Sequence, residues 1–219
     1  MSETISNPIS DYIAQSWLVL LLAICFGLAL TSVDVFWGPK IDANKEQATL
    51  ELIPAVTLTD KEREEITAQE LDISSTKLIT SSSDGVQKEL LAYTTKDSSG
   101  NILGWAVKGS GSGYADKIEL LIGLSPEGDK IKGIMVLEQK ETPGLGSNIT
   151  RPDFVVQFNG KDTSTAIMAV KGDAGDQEIA AITGATISSR AVSDIASATM
   201  KDAAQGIRNM DSVSVEDAR

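Results

Sequence analysis

The chain has 219 residues, of which 42% are apolar, and a formal net charge of −12 from 19 basic and 31 acidic residues; this length suits one domain plus an anchor. The acidic balance disfavours binding to nucleic acid, and it leaves hydrophobic insertion as the way of attaching to an anionic membrane. A single cysteine, Cys25, and no histidine exclude an internal disulfide, a four-cysteine iron–sulfur cluster, a zinc site of the usual type and a histidine-ligated haem, so a redox cofactor in this chain must be organic.

The first predicted element is a membrane-spanning helix over residues 12–37, which follows a short tail, 1–11. Its first 22 residues carry no charge, and a helix of about 22 residues reaches about 33 Å, close to the hydrocarbon thickness of about 30 Å. Trp17 lies near one end and Trp37 near the other, as in the aromatic belts of spanning helices. Gly38-Pro39 is predicted to end the helix.

A cleaved signal peptide is the alternative to a permanent helix. Residues 1–11 hold no Lys or Arg, no small-residue cleavage site follows the apolar run, and Ile24 before Cys25 does not fit a lipoprotein signal. We therefore predict a permanent anchor. Its orientation is not decided by charge: Lys40 and Lys45 follow the helix, which on its own favours a cytoplasmic domain, but large domains are translocated largely regardless of such a small bias.

Between the anchor and the domain, residues 38–75 are predicted to form a juxtamembrane helix and linker. A short helix is expected over 42–53, ended by Pro54. The charged run 61–70 predicts a solvated helix face or linker, and the serines of 80–84 predict a polar loop.

The remaining patterns predict an α+β domain, 76–210, with a single mixed or antiparallel sheet and packed helices. Alternating apolar residues between turn sequences predict an antiparallel meander; its strands are 88–96, 102–108, 117–124 and 130–138, its turns are 97–101 and 125–129, and a further short strand is expected at 166–171. Apolar residues spaced at i, i+3 and i+4 predict a final helix, 188–206. Residues 211–219 are expected to be a frayed terminus.

Two glycine-rich segments are candidates for binding. In the segment GSGSGYAD, 109–116, three glycines at alternate positions leave room for a close approach to the backbone, although a flexible loop between two strands is the simpler explanation. The segment ETPGLGSNI, 141–149, directly follows a strand, and its Pro-Gly pair predicts a turn. Glu141 and Thr142 lie at the strand end, where ligands are often held; a plain connecting turn is the alternative.

The third segment, ITGATISSR at 182–190, leads into the final helix. Four hydroxyl side chains crowd the helix start: Thr183, Thr186, Ser188 and Ser189. Capping of the helix is the simplest explanation, since Ser and Thr are preferred there. A helix N-terminus with free N–H groups also binds anions, so a phosphate group is the alternative.

Together, GSGSGYADKI, ETPGLG and ITGATISSRAV resemble the FMN-binding domain family, and within it the G subunits of Rnf electron-transport complexes. The C subunits of sodium-pumping NADH:quinone oxidoreductases are relatives of that group. The resemblance covers nearly the whole chain, with one N-terminal helix followed by the domain, and the order and spacing of the last two motifs agree.

The resemblance implies covalently bound FMN. The last hydroxyl of the [Ser/Thr]-Gly-Ala-Thr motif is esterified to the FMN phosphate in that family, which is Thr186 here, with Thr183, Gly184 and Ala185 as its recognition context. A separate flavin transferase with Mg²⁺ performs the step: the alcohol attacks the pyrophosphate of FAD and AMP leaves. Ala180 stands where the family motif usually has Asp, which leaves the efficiency of this modification open.

The same resemblance implies further contacts with FMN. These cofactor-binding residues are Ser188 near the attachment site, Glu141, Thr142, Leu145 and Gly146 against the isoalloxazine ring or ribityl chain, and Tyr114 at the border of the flavin.

By resemblance, the chain is an electron relay in a membrane complex that passes electrons between reduced ferredoxin and NAD⁺ and moves Na⁺ or H⁺. Its partners are then the other membrane and iron–sulfur subunits and the flavin transferase. The family places the flavin domain on the outer, periplasmic side of the bacterial or archaeal cytoplasmic membrane. Two alternatives stay open: the equivalent subunit of a sodium-pumping NADH:quinone oxidoreductase, and a non-redox, membrane-anchored binding module of the same fold.

Overall fold

Helix-forming and strand-forming segments follow one another along the chain. The computed structural model describes residues 8–65, 71–81 and 87–216. The helices are α1 (Pro8–Thr57), α2 (Asp60–Glu65), α3 (Pro152–Val155) and α4 (Thr186–Glu216). The strands are β1 (Asp72–Ser81), β2 (Gln87–Lys96), β3 (Ile102–Ser112), β4 (Lys117–Leu124), β5 (Ile131–Glu138), β6 (Met168–Val170) and β7 (Glu178–Ala180), and 3₁₀ turns cover Gly146–Thr150 and Val156–Phe158. The chain divides into two compact units, Met1–Ala48 and Thr49–Arg219.

Helix α1 is longer than predicted. Two helices, 12–37 and 42–53, were expected on either side of Gly38-Pro39, whereas the structure has one helix of 50 residues. A proline inside a helix removes one hydrogen bond and costs about 3 kcal/mol, but the helix-forming residues on both sides outweigh this single loss. Pro54 does not end the helix either, because it lies within the last turn and α1 continues to Thr57.

The apolar part of α1 is suited to a membrane. Of the residues that the structure describes, one helix, Ser16–Thr57, is long and apolar enough to cross a bilayer. Its large apolar side chains between Trp17 and Trp37 are exposed. An apolar surface of this size is unfavourable in water and is covered when the helix lies in lipid.

The main sheet has five antiparallel strands in the order β1-β2-β3-β4-β5. The four-stranded meander predicted over residues 88–138 is therefore confirmed, with β4 at the predicted residues 117–124. Strand β1 was not predicted: it contains residues assigned to the linker and to the Ser-rich loop. Its polar composition hides its buried positions, Leu78 and Thr80; Leu78 pairs with Leu90 of β2. Residues 82–86, most of the predicted loop, lie outside the described residues.

Helix α4 packs across one face of the sheet, and two glycines of β3 make room for it. Gly109 to Ser112 belong to β3, so the loop expected over 109–116 is confined to residues 113–116, between β3 and β4. A Cβ atom at Gly109 would overlap the Thr199 hydroxyl, and one at Gly111 would lie 2.7 Å from Ile195 Cγ1. The close approach that these glycines allow is thus that of α4.

The last turns of α1 pack against the opposite face of the sheet. Ile53 and Val56 are buried there with Tyr93, Ala106 and Leu121. Glycines again permit the contact: a Cβ atom at Gly123 would overlap the carbonyl oxygen of Val56, and Gly104 and Gly133 lie against the same helix end. The sheet is therefore covered on both faces.

The predicted short strand at 166–171 does not join the main sheet. It is the three-residue strand β6, which pairs in parallel with β7 in a separate two-stranded sheet. The predicted antiparallel sheet is the five-stranded one, and the β6–β7 pair is an addition that was not predicted, because the partner of β6 lies in a segment, 178–180, too short to show a strand pattern. The β6–β7 pair leads the chain into the loop before α4.

Helix α4 begins two residues earlier than predicted and continues ten residues past Gly206, to Glu216. Gly206 does not end the helix, because its missing side chain serves packing: a Cβ atom there would lie 2.7 Å from Leu78 Cβ on β1. The predicted frayed terminus is helical to Glu216, and residues 217–219 lie outside the described residues.

An ion pair between α2 and β5 makes stability depend on pH. Lys132 Nζ lies 2.8 Å from Glu62 Oε2 and also donates to the Leu103 carbonyl oxygen. Partial burial of Glu62 raises its pKa, but hydrogen bonds from Lys132 and Thr59 together lower it, and the net pKa is below the usual 4.5. A depressed pKa in the folded state stabilises the fold above pH 4.5, and this contribution is lost as the pH falls through the folded pKa.

We therefore expect Glu62→Gln to lower the free energy of unfolding at pH 7 by at most about 1 kcal/mol, since the pair is partly exposed. The difference from the wild type should shrink as the pH falls below 4.5. Denaturant titrations of both proteins at pH 7 and at a pH below 4.5 measure this difference in the free energy of unfolding. Glu89→Gln is the control, because the Lys77–Glu89 pair is well exposed and should contribute little at either pH. A difference that grows on acidification would contradict the prediction.

Candidate functional site

A groove of about 770 Å³ opens at the start of α4. It brings together the three segments singled out in the sequence, and its lining residues are Tyr114, Thr142, Leu145, Gly146, Lys171, Gly172 and residues 181–188. The volume falls in the range of about 300–1,000 Å³ that is usual for small-molecule sites. Of the ten predicted site residues, nine line this groove, and Glu141 lies behind it.

Residues 183–189, which lead into α4 and form its first turn, carry four hydroxyl side chains; three of these residues line the groove, but only Thr183 and Thr186 have accessible side chains. Ser188 and Ser189 are buried, and their hydroxyls bond within the protein: Ser189 Oγ donates to the Ala185 carbonyl oxygen, and Ser188 Oγ donates to Glu141. Among the hydrogen bonds of the described residues, neither hydroxyl caps a backbone N–H group of α4. Thr183 is exposed and Thr186 is half-buried, and both line the groove.

Thr186 is the first residue of α4. The helix therefore begins with N–H groups that have no partner within the helix, and its dipole makes this end favourable for a negative charge. Gly184, two residues earlier, has φ +82°, a left-handed conformation in which any larger residue would be strained. The small residues Gly184 and Ala185 leave the Thr186 side chain at an open edge.

Apolar side chains form the walls of the groove. The turn that follows Glu141 closes with N–H groups of Leu145 and Ser147 donating to the Thr142 carbonyl oxygen. This turn places Leu145 over the Gly184 backbone, where a Cβ atom would lie 3.2 Å from Leu145 Cδ2. Tyr114 and Ile187 are also exposed at the groove. Exposed apolar surface around a concave site is typical of a place where a planar organic ligand binds.

Glu141 was predicted to contact a ligand, but its carboxylate is buried behind the groove. It is 4% exposed and accepts hydrogen bonds from the backbone N–H groups of Tyr114 and Ala115 and from the Ser188 hydroxyl. Its role as a ligand contact stays a prediction.

The sequence did not point to the lining residues Lys171, Gly172 and Ala181. Ile182 and Ile187 lie in the segment singled out at 182–190, but no role was predicted for them. Lys171 follows β6, and its place at the groove depends on the pairing of β6 with β7, for which no local pattern exists. Among the described lining residues, Lys171 is the one with a charged side chain. Ala180 lies beside the groove, where its N–H group donates to the Gln157 side chain at 2.7 Å.

Comparison with known proteins identifies the family to which this chain belongs. Residues 113–201, which include all the residues that line the groove, match the FMN-binding domain family. The G subunit of an ion-translocating oxidoreductase complex from Shewanella baltica is 31% identical over 180 residues, which cover 80% of this chain and 80% of that protein. The chain belongs to this family of G subunits. The resemblance drawn from the three motifs is therefore confirmed.

Two further members of the family are more similar over a shorter stretch. The G subunit of the Na⁺-translocating ferredoxin:NAD⁺ oxidoreductase complex of Acetobacterium woodii is 42% identical over 113 residues, 49% of this chain and 54% of that protein. The G subunit of an ion-translocating oxidoreductase complex of Methanosarcina acetivorans is 42% identical over 105 residues, 48% and 54% of the two chains. The chain spans about half the length of these two relatives in the matches.

Solved structures confirm the predicted α+β fold. Shewanella oneidensis NqrC superposes with a TM-score of 0.61 at 17% identity, over 78% of this chain and 99% of that one. The C subunit of the Na⁺-translocating NADH-quinone reductase of Parabacteroides distasonis superposes with a TM-score of 0.53 at 21% identity, over 71% and 87%. At these identities the likeness concerns the fold alone.

Proposed function

We propose that this chain is the flavin-carrying electron-relay subunit of a membrane-bound, ion-translocating ferredoxin:NAD⁺ oxidoreductase complex. The observation that carries the proposal is the Thr186 hydroxyl, which stands on the first residue of a long helix at the edge of a groove of about 770 Å³. The names of the related G subunits support the type of complex. The likeness to the solved quinone-reductase proteins extends to the fold only, so it does not favour that alternative.

The residues of the groove fit FMN. The start of α4 offers N–H groups and a positive dipole end to a phosphate group, and Lys171 adds a cation on the same groove. Leu145, Ile187 and Tyr114 offer apolar surface to an aromatic ring system. These are the two kinds of surface that a flavin mononucleotide needs.

We propose that Thr186 carries FMN covalently. The Thr186 Oγ forms a bond to the phosphorus of the FMN moiety of FAD, the P–O bond of the pyrophosphate breaks, AMP leaves, and the hydroxyl proton passes to a base of the flavin transferase. The resulting phosphodiester keeps one negative charge, which the N-terminus of α4 stabilises. The small residues at 184 and 185 favour access of the transferase to this hydroxyl.

The bound flavin would supply the redox chemistry, because it exchanges either one or two electrons. The chain itself would supply position, an apolar wall and a fixed electrostatic environment. A covalent link holds the cofactor in place over many turnovers. The other membrane and iron–sulfur subunits of the complex would then be the donors and acceptors of electrons.

The mass of the intact protein tests this proposal. Protein produced together with a flavin transferase should gain the mass of FMN less one water, absorb visible light as flavins do, and fluoresce on a denaturing gel. Protein that carries no flavin under these conditions would contradict the proposal.

We further propose that α1 spans the cytoplasmic membrane with the flavin domain on the outer side. In a Cys25→Ser background, a cysteine at Ser98, an exposed position between β2 and β3, should react with a membrane-impermeant maleimide in intact spheroplasts. The Cys25→Ser protein without the new cysteine is the control. Labelling that occurs only after the membrane is opened would place the domain in the cytoplasm instead.

A further inference from the structure

The buried carboxylate of Glu141 joins the three segments that form the groove. Its Oε1 accepts the backbone N–H groups of Tyr114 at 2.9 Å and Ala115 at 3.1 Å. Its Oε2 accepts the hydroxyl of Ser188 at 2.6 Å. Through one side chain, the end of the β5 segment is thereby connected both to the loop after β3 and to the first turn of α4.

We propose that Glu141 is a positioning residue, which fixes the start of α4 and the Tyr114 loop relative to each other and does not itself contact the flavin. This inference rests on the proposed function for the identity of the ligand. The placement of Glu141 carries it: the side chain is 4% exposed and does not line the groove, and its three hydrogen bonds point to the protein.

Because the Glu141 carboxylate is buried, its hydrogen bonds must offset the free energy lost when it leaves water. A carboxylate that leaves water is costly unless donors replace the lost hydration, and here two backbone N–H groups and one hydroxyl do so. Ser188 is the third residue of α4, so the carboxylate also lies at the positive end of the helix dipole. Removing the carboxylate would leave the Tyr114 and Ala115 N–H groups and the Ser188 hydroxyl without this acceptor.

Two glycines show how closely the protein surrounds this carboxylate. A Cβ atom at Gly146 would lie 2.8 Å from Glu141 Oε2 and 2.8 Å from Ser188 Oγ. A Cβ atom at Gly113 would overlap Glu141 Oε1. One glycine of each motif, Gly113 of 109–116 and Gly146 of 141–149, thus makes room for this carboxylate.

The hydrogen bonds of Glu141 affect the shape of the groove, because the residues that donate them lie at the groove or next to it. Tyr114 lines the groove, and Ser188 lies two residues after Thr186 on the same helix turn. Displacement of either partner changes the distance between the Tyr114 wall and the attachment hydroxyl. Glu141 thereby sets the width and shape of the groove from behind.

The test compares Glu141→Ala, Glu141→Gln and Ser188→Ala in the full chain, with and without the flavin transferase. The first readout needs no flavin: hydrogen exchange of the Tyr114 and Ala115 amides should quicken about tenfold or more in Glu141→Ala, since both amides lose their buried acceptor. Glu141→Gln keeps one acceptor oxygen for these amides and should show a smaller change. Ser188→Ala should leave them nearly unchanged.

The second readout is the visible circular dichroism of the attached flavin, expressed per flavin. Glu141→Ala should lose most of it while the fluorescence on a denaturing gel persists, because Thr186 is intact. Ser188→Ala in the Glu141→Ala background should add little to the single Glu141→Ala change, since Glu141→Ala already removes the contact that the two residues share.

Thr163→Ala is the matched control, because the Thr163 hydroxyl is also buried and donates to the Gly128 carbonyl oxygen but does not line the groove. It should lower the melting temperature and leave both readouts unchanged.

Unaltered amide exchange and unaltered dichroism in Glu141→Ala would overturn the inference. If that variant does not fold, the same two results in Glu141→Gln would overturn it. A wild-type protein without flavin would contradict the proposed function instead, and the amide readout would still decide the role of Glu141.

Discussion

Replacing Thr186 by alanine should abolish covalent attachment of flavin completely. The variant lacks the only oxygen of this side chain, so no phosphoester can form at the position where α4 begins and the groove opens. Ser188 and Ser189 cannot substitute readily, because both are buried and their hydroxyls bond to Glu141 and to the Ala185 carbonyl oxygen. Intact mass and gel fluorescence measure the result.

Two matched variants make the Thr186→Ala result specific. Thr186→Ser keeps a hydroxyl at the same place and should retain attachment. Thr142→Ala removes a different threonine that lines the groove and should retain attachment as well. Undiminished gel fluorescence in Thr186→Ala would show that another residue carries the flavin.

Replacing Gly123 by alanine should cause a large loss of stability. The added methyl group would overlap the Val56 carbonyl oxygen and lie 3.0 Å from Val56 Cβ. The obstacle is helix backbone rather than a flexible side chain, so the end of α1 must move off the sheet. Overpacking of this kind costs about 3 kcal/mol, which corresponds to a fall in melting temperature of about 6–12 °C for a domain of this size.

Gly175→Ala provides the control for Gly123→Ala. A Cβ atom at Gly175 would lie 3.3 Å from Glu178 Oε2, the movable end of an acidic side chain, so its melting temperature should stay close to that of the wild type. Thermal unfolding followed by far-ultraviolet circular dichroism compares the two. Equal melting temperatures in both variants would mean that α1 does not pack against β4 as described.

The features that depend on neighbouring residues were predictable. The apolar run of the anchor shows its length and hydropathy directly, and the alternating residues of β2 to β5 show their strands together with the intervening turns. The order of the motifs pointed to the family that the comparisons confirm. The apolar run, each strand and each motif is encoded in a stretch of fewer than about 25 residues, the length over which local pattern and propensity act.

Other features depended on contacts between distant residues. Nothing local shows that α1 continues through Pro39, that β1 pairs with β2, or that Lys171 faces the groove. The glycines of β3 have the composition of a loop, and only their distance from Thr199 and Ile195 shows that they admit a helix.

The candidate site also combines features set by local sequence with features set by contacts between distant residues. The amino-acid sequence by itself determined which hydroxyls crowd the start of α4, because they follow one another in the chain. The tertiary structure decided which of them are available: Ser188 and Ser189 are buried and bonded, whereas Thr183 and Thr186 face the groove. It also moved Glu141 behind the groove, since the donors that hold its carboxylate lie 26, 27 and 47 residues away, and such contacts form only when the chain folds.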